Sequence, residues 1–207
     1  MAVPGLVPDD VFFEHLAHRR FPSTCFIRTK AQLDYIEEPD VFHDIFGHVP
    51  LLVNPVFADY MQAYGEGGLA ALARGTLHQL VRLYWYTVEF GLVSTDAGLR
   101  IYGSGIVSSK GETEYSLDHP APNRLGFDLV RVMRTKYRID AFQETYFVIG
   151  GFEELFAATL ADFAPVYAKL ATLPELEAGA VLAEDRVLHR GTGAKRRGIT
   201  GRPARSG

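Results

Sequence analysis

The sequence has few of the features that would place it outside the cell or in a membrane. Its only cysteine is Cys25, which excludes an internal disulfide framework and is typical of a reducing compartment. No segment approaches the roughly 18 continuous apolar residues that a membrane span requires, and the first residues, MAVPGLVPDD, lack a basic region followed by an apolar run. These absences predict a soluble cytoplasmic protein with no membrane partner.

Basic residues are scarce except at the C-terminal end. The net charge is −4, but the stretch from His189 onward carries six Lys or Arg residues and no acid, which leaves residues 1–188 at −10. This stretch is rich in glycine and has no apolar periodicity, which is typical of a disordered tail. Its AKRRG segment leaves nucleic-acid binding open as an alternative, and the acidic body argues against it. We expect one domain over residues 1–188, a basic tail over residues 189–207 and no nucleic-acid partner.

Apolar and aromatic residues are abundant. The chain has 207 residues, of which 47% are hydrophobic, so it is long enough to bury one sizeable core. Aromatic residues make up 12% of the sequence, and a pocket in such a protein is expected to have aromatic walls. This composition favours a small-molecule site.

Helical periodicity dominates the first 188 residues. Asn54 and Pro55 predict the start of a helix that stops at Gly65, and Ser109 with Glu112 resembles a capping box. The other segments predicted to be helical are residues 9–20, 76–91, 127–139 and 150–173, the last bent or interrupted near Pro165. Residues 99–109, LRIYGSGIVSS, predict a short strand pair or an irregular loop. The fold class is therefore mainly α with a little β.

Two histidines lie five residues apart in the segment EEPDVFHDIFGHVPLL, which spans residues 37–52. Five residues turn a regular helix by roughly 500°, which leaves His43 and His48 about 140° apart. Gly47 and Pro50 flank His48, so we expect the helix to loosen or end there and let the second imidazole turn towards the first. The spacing differs from that of the zinc-protease motif. The alternative is that one histidine caps the helix and the other is an ordinary core residue.

Glu89 stands among apolar and aromatic residues in LYWYTVEFGL. A carboxylate in such surroundings needs a partner, because burial penalises an unpaired charge. Arg82 is two helical turns away on the same face, so a buried ion pair is one explanation. The other is a metal: two histidines and one carboxylate form the facial triad that binds non-haem Fe(II) and leaves coordination positions open.

Three sequence blocks carry a resemblance to a known family. LDYIEEPDVFHDIFGHVPLL, YWYTVEFGL and YGSGIVSSKGE follow one another in this order, and the similarity extends from about Val3 to Phe163. In these blocks the chain resembles the pterin-dependent aromatic amino acid hydroxylases, in particular the bacterial members that act on phenylalanine. The resemblance implies a hydroxylase-like catalytic core with Fe(II) and a tetrahydropterin as cofactors.

The resemblance also implies a role for fourteen residues. His43, His48 and Glu89 match the iron ligands of the family. The positions that match the pterin site are Gly5, Leu6, Phe12, Asp44 and Tyr84. The positions that match the substrate site are Arg28, which would bind the substrate carboxylate, Pro39, Trp85, Phe90, Ser108 and Ile139. Asp44 stands where many animal members have glutamate. The remaining histidines, for which we expect surface or capping roles, are His15, His18, His78, His119 and His189.

The implied activity is that of a monooxygenase that hydroxylates L-phenylalanine to L-tyrosine with O2. Ile139 favours phenylalanine among the family's substrates, because an apolar residue there suits a ring without a hydroxyl group. One alternative is a non-catalytic iron- and pterin-binding relative or an inactive truncated product. Another is a zinc-dependent hydrolase with the same three ligands.

The sequence begins almost at the pterin segment, whereas the family's catalytic domain begins well upstream. We therefore expect an N-terminal part of the family domain to be missing and the surface that it would cover to be apolar and exposed. No coiled-coil heptad follows the core, so a monomer is expected.

Overall fold

The computed structural model describes residues 1–33, 36, 38–160 and 163–193. The described helices are α1 Asp9–Ala17, α2 Val49–Leu52, α3 Pro55–Arg74, α4 Leu77–Tyr84, α5 Ser104–Val107, α6 Lys110–Asp118, α7 Leu129–Met133, α8 Phe152–Leu160 and α9 Phe163–Thr172. Two segments are π-helical, namely the first π turn, His43–His48, and the second π turn, Trp85–Glu89. The strands are β1 Ala2–Val3, β2 Ser23–Thr24, β3 Leu92–Thr95, β4 Gly98–Ile101, β5 Asn123–Gly126, β6 Thr145–Ile149 and β7 Val187–His189.

The long helix α3 forms the centre of the helical part of the core. Asn54 caps it as predicted, with its side-chain oxygen accepting hydrogen bonds from the backbone N–H groups of Val56 and Phe57. The predicted end at Gly65 is wrong, because the helix continues to Arg74 and ends at Gly75 in the left-handed conformation. Gly65 instead lets α1 approach closely, since a β-carbon there would clash with the backbone at Leu16.

A five-stranded sheet packs beside the helices in the order β4-β3-β6-β5-β7. Strands β3, β6 and β5 run parallel, and β4 and β7 are antiparallel edges. The predicted strand pair begins earlier than expected, because the hairpin occupies residues 92–101 and Ser104–Val107 is helical. Strands β5 and β6 were not predicted: all their residues are buried, so they lack the alternation that marks a half-exposed strand.

Several predicted helices are present with different limits. Ser109 caps α6 by accepting a hydrogen bond from the Glu112 backbone, but the Glu112 side chain is used elsewhere, so the capping box is incomplete. The helix predicted over residues 127–139 is reduced to α7, and that predicted over 150–173 consists of α8 and α9. None of the described helices is long and apolar enough to cross a membrane.

The predicted tail begins inside a strand. His189 belongs to β7, which pairs with β5, and the backbone N–H of Gly191 donates to Asn123 Oδ1 at 2.9 Å. The backbone N–H groups of Thr192 and Gly193 donate to carbonyl groups at Pro120 and Ala121. The expected boundary at residue 188 therefore moves to at least residue 193, and residues 194–207 lie outside the described part.

Apolar side chains are exposed on the outer face of the segment that carries the two histidines. They recur at helical spacing over residues 42–53, and Phe42 and Phe46 stack with ring centroids 5.0 Å apart. The members of this outer apolar face are Phe42, Ile45, Phe46, Val49 and Val53. These five exposed apolar side chains thus share one helical face and are not scattered singly over the surface.

Candidate metal centre and aromatic cavity

The first π turn brings His43 and His48 together. A π turn closes i→i+5 hydrogen bonds, so residues five apart become neighbours on one face. The two Nε2 atoms are 3.1 Å apart. The expected loosening near Gly47 is present as this wider π turn. The helix does not end there, because the chain continues directly into α2, with Pro50 in the first turn, where its missing N–H is tolerated. The wider turn, rather than a helix end, reorients the second imidazole.

Glu89 is the last residue of the second π turn and meets both histidines. Its Oε1 lies 3.2 Å from His48 Nε2, and its Oε2 lies 3.5 Å from His43 Nε2. The alternative ion pair with Arg82 is not formed, because the Arg82 guanidinium contacts Glu175 at 2.5 Å and the Met133 carbonyl. The carboxylate at Glu89 is therefore partnered by imidazoles.

Neighbouring hydroxyl groups orient the side chains of His43 and Glu89, and an aromatic ring packs against His48. Ser104 Oγ donates to Glu89 Oε2 at 2.8 Å, and Ser108 Oγ lies 2.8 Å from His43 Nδ1. The His48 ring packs on Phe21 with centroids 4.5 Å apart. Hydrogen bonds on the outer nitrogen or oxygen of a ligand side chain are typical of metal centres, since they orient the ligand.

The ligand atoms of His43, His48 and Glu89 all lie within 4.8 Å of one another. Burial lowers the pKa of His43, which favours the neutral imidazole that binds metals. Burial acts to raise the pKa of Glu89, but His48 and His43 outweigh it and hold the pKa at about 2, so the carboxylate is ionised. Two imidazoles and one carboxylate suit a divalent transition metal.

All fourteen residues matched to the family site line one cavity of about 460 Å³. Phe12 and Tyr84 meet edge to face with centroids 5.9 Å apart, and Trp85 lies against Phe90 at 4.7 Å. Leu6 and Ile139 are exposed at its rim, with 75% and 57% of their surface accessible. The five remaining histidines are not among the described residues that line it.

A profile of the family described as biopterin-dependent aromatic amino acid hydroxylase matches residues 1–172. The chain belongs to this family. Phenylalanine-4-hydroxylase from Ralstonia nicotianae is 67% identical over 192 residues, which are 93% of this chain and 61% of the relative. The enzyme of the same name from Chromobacterium violaceum is 64% identical over 191 residues, which cover 92% of this chain and 64% of the relative. The chain thus spans less than two thirds of both relatives.

The fold of this hydroxylase-family chain also matches a solved structure. Phenylalanine hydroxylase from Chromobacterium violaceum bound to cobalt superposes with a TM-score of 0.88 at 65% identity, over 90% of this chain and 68% of that one. The predicted hydroxylase-like core is confirmed by this likeness.

Asp40 does not line this hydroxylase-family cavity but supports Arg28, which does, and the sequence did not reveal this role. It is fully buried and accepts two hydrogen bonds from the Arg28 side chain, Nε to Oδ2 at 2.9 Å and Nη2 to Oδ1 at 2.8 Å. Its Oδ1 also accepts the His43 backbone N–H at 3.0 Å. Burial would raise the pKa of Asp40, but the hydrogen bonds from Arg28 and from the His43 backbone hold it well below its usual range. An acidic residue three positions before His43 was a capping signal that could have been used.

Asp44 lines the cavity but is tied to the protein. Its Oδ2 accepts hydrogen bonds from the Thr24 backbone and hydroxyl, both at 2.7 Å. These bonds join β2 to the first π turn. The cavity also contains Tyr137, Glu112 and Gln143, which were not predicted because no local pattern places them near Trp85.

Proposed function

We propose that this chain is the catalytic part of a monooxygenase that hydroxylates L-phenylalanine to L-tyrosine with O2, Fe(II) and a tetrahydropterin. The observation that carries the proposal is the convergence of His43, His48 and Glu89 on the wall of an aromatic cavity that also includes Arg28. The name phenylalanine-4-hydroxylase, shared by relatives that are 62–67% identical, supports the choice of substrate.

His43 Nε2, His48 Nε2 and the Glu89 carboxylate would hold the iron. A facial triad leaves positions open for other ligands. When bound, iron and tetrahydropterin together supply the electrons and the activation of O2 that add one oxygen atom to an aromatic ring. The chain contributes the ligand orientation through Ser104 and Ser108, whose hydroxyl groups are already in hydrogen-bond contact with Glu89 and His43.

Arg28 binds the substrate carboxylate in this proposal. Asp40 and the Ser108 carbonyl occupy three of its five N–H groups, with the Ser108 contact at 2.8 Å. The described residues thus leave two N–H groups of a rigid guanidinium for a ligand. The Asp40 contact fixes the guanidinium before the substrate arrives, which reduces the entropy lost on binding.

The aromatic wall would hold the substrate ring and exclude water. Trp85, Phe90, Tyr137 and Pro39 line the same cavity as the triad, and Ile139 adds an apolar side chain at the rim. Fixing the substrate ring against these side chains raises the fraction of time that the ring spends in a geometry from which it can react. The apolar Ile139 favours phenylalanine over substrates with a ring hydroxyl group.

The pterin would lie against Phe12 and Tyr84, with the backbone at Gly5 and Leu6 at its edge. These four residues line the cavity together, and Phe12 is only half-buried, so part of its ring remains accessible to a planar ligand. On the pterin side of the cavity, Asp44 has a positioning role, because its hydrogen bonds to Thr24 hold β2 against the first π turn.

We also propose a cytoplasmic monomer. Cys25 is an exposed free thiol, which suits a reducing compartment. Sedimentation velocity of the purified chain at several concentrations tests the monomer, and a concentration-dependent increase in sedimentation coefficient would contradict it.

The test of the proposed function is tyrosine formation from phenylalanine with Fe(II), a tetrahydropterin and O2. His43→Ala is expected to abolish both iron binding and tyrosine formation, because it removes one of three ligands. His18→Ala is the matched control, since His18 is exposed and contacts Glu14. Iron-loaded wild type that forms no tyrosine would contradict the proposal and favour a non-catalytic iron- and pterin-binding protein.

A further inference from the structure

Trp85 is the only tryptophan of the chain, and three contacts hold its indole in the cavity wall. Tyr137 stacks on it with centroids 4.3 Å apart and planes 22° apart, and Phe90 lies at 4.7 Å. The indole N–H donates to Gln143 Oε1 at 3.0 Å. Stacking allows an aromatic ring to slide, whereas the hydrogen bond sets its direction.

Gln143 is itself held in one orientation. Only 2% of its surface is exposed, and its Nε2 donates to the Arg138 carbonyl at 3.0 Å. A carbonyl partner for Nε2 assigns the other amide atom, Oε1, to the indole N–H. The side-chain amide therefore bridges the backbone at Arg138 and the ring of Trp85.

The backbone of Gln143 is anchored by a buried carboxyl group. Glu112 Oε1 accepts the Gln143 N–H at 3.1 Å and the Tyr146 hydroxyl at 2.8 Å. Glu112 is only 4% exposed, and α6, which carries it, begins directly after Ser109. A continuous set of hydrogen bonds thus connects β6 and α6 to the indole.

We propose that Gln143 is a positioning residue that sets the plane of Trp85 and thereby the shape of the pocket for the substrate ring. This inference rests on the proposed function, because it assigns the ring to the wall that Trp85 forms. Loss of the acceptor leaves a buried indole N–H unsatisfied, which the ring relieves by turning. If the indole of Trp85 is displaced, the substrate ring binds more weakly and is held less well in the orientation needed for reaction.

Fluorescence gives a readout that does not depend on turnover, because Trp85 is the only tryptophan. In Gln143→Leu we expect a shifted emission maximum and a weaker response to added phenylalanine. In Gln143→Glu a carboxyl oxygen can still accept from the indole N–H, and a protonated carboxyl group can still donate to the Arg138 carbonyl. At about pH 5, where a buried carboxyl group stays protonated, we expect emission and response close to wild type. If Gln143→Glu behaves like Gln143→Leu under these conditions, the acceptor at residue 143 does not set the indole and the proposal is overturned.

Kinetics in two backgrounds separate the role at Trp85 from a general structural role. We expect Gln143→Leu to raise the KM for phenylalanine about tenfold, with a smaller change in kcat. Trp85→Phe lacks the N–H donor, so adding Gln143→Leu to it should change KM less than about twofold. An equal effect of Gln143→Leu in both backgrounds would overturn the proposal.

Two further outcomes distinguish the proposed monooxygenase activity from the proposed role of Gln143. Wild type that binds phenylalanine by fluorescence but forms no tyrosine would contradict only the monooxygenase, and the fluorescence comparison would still decide the role of Gln143. Wild type whose fluorescence does not respond to phenylalanine would overturn the role of Gln143 in the substrate pocket. If Gln143→Leu does not fold, Gln143→Met is compared with Gln143→Glu in the same experiments, with the same expected contrast.

Discussion

Arg28, which we propose binds the substrate carboxylate, also has a structural role, and this decides how it should be tested. Its side chain and that of Asp40 are almost fully buried and paired. Removal of one partner of a buried pair leaves the other uncompensated, so Arg28→Ala would lower stability as well as binding. Arg28→Lys keeps the charge but loses the fork geometry. We expect it to raise the KM for phenylalanine by about 10- to 100-fold, measured by steady-state kinetics, with thermal unfolding of the variant recorded beside it. An unchanged KM would contradict the carboxylate-binding role.

Glu112 makes stability depend on pH. Burial raises its pKa to about 7, although hydrogen bonds from Tyr146 and Gln143 act to lower it. Since an unfolded glutamate titrates near 4.3, the folded protein holds an extra proton between about pH 4.3 and pH 7. Stability therefore decreases as pH rises through this window.

We expect Glu112→Gln to remove this decrease, which is roughly 4 kcal/mol at most over the whole window. The amide oxygen can still accept the bonds from Gln143 and Tyr146, but it does not ionise. Urea unfolding at about pH 5 and about pH 8 measures the difference. Glu114→Gln is the matched control, because Glu114 is exposed on the same helix, α6. The same pH dependence of stability in wild type and Glu112→Gln would show that ionisation of Glu112 does not cause the decrease.

At the scale of elements, two nearby glycines of α3 are expected to respond in opposite ways to substitution. A β-carbon at Gly68 would clash with the buried ring of Phe13 on α1, whereas one at Gly67 meets no atom within 4 Å. Gly68→Ala should lower the free energy of unfolding by about 1–3 kcal/mol through overpacking. Gly67→Ala should raise it by about 0.5–1 kcal/mol, because alanine favours the helix. Denaturant unfolding checks both, and equal effects would contradict the close packing of α1 on α3.

The two π turns are the elements that build the candidate metal centre. Each places a candidate ligand at its last residue, His48 or Glu89, and α5 contacts both turns. Gly47 permits this approach, since a β-carbon there would lie 2.7 Å from Ser104 Cβ. Ser104 in turn donates to Glu89, so the spacing of the elements and the orientation of the ligand are coupled.

At the scale of the whole molecule, β7 closes the sheet beside the fully buried strand β5. A chain that ends at Arg186 would keep the buried Arg131–Asp185 ion pair but expose the edge of β5. We expect it to lose roughly 2–4 kcal/mol of stability through several backbone hydrogen bonds. A chain that ends at Gly193 should unfold like the full chain, because we propose that the basic tail adds no folding energy. Thermal unfolding of the three lengths decides this, and a lower melting temperature for the Gly193 chain would contradict the proposed tail.

The sequence by itself determined the family, the mainly helical class and the residue types at the cavity. These features depend on local patterns, such as the cap at Asn54, or on blocks that resemble the family. It also predicted the convergence of His43, His48 and Glu89, and of the two routes that it left open, a loosened helix or a helix end, the fold has the first.

Only the tertiary structure decided how those residues are held. Local periodicity does not relate the residues that form these contacts. The contacts are the π turns, the Arg28–Asp40 ion pair, the hydrogen bond from Trp85 to Gln143 and the pairing of β7 with β5. The same holds for Gly65, which reads as a helix stop in sequence and serves a close helix contact in the fold. In this fold, buried contacts between distant segments override local secondary-structure propensity. Packing and hydrogen bonding stabilise the fold by more free energy than is lost when a single residue adopts an unfavourable secondary structure.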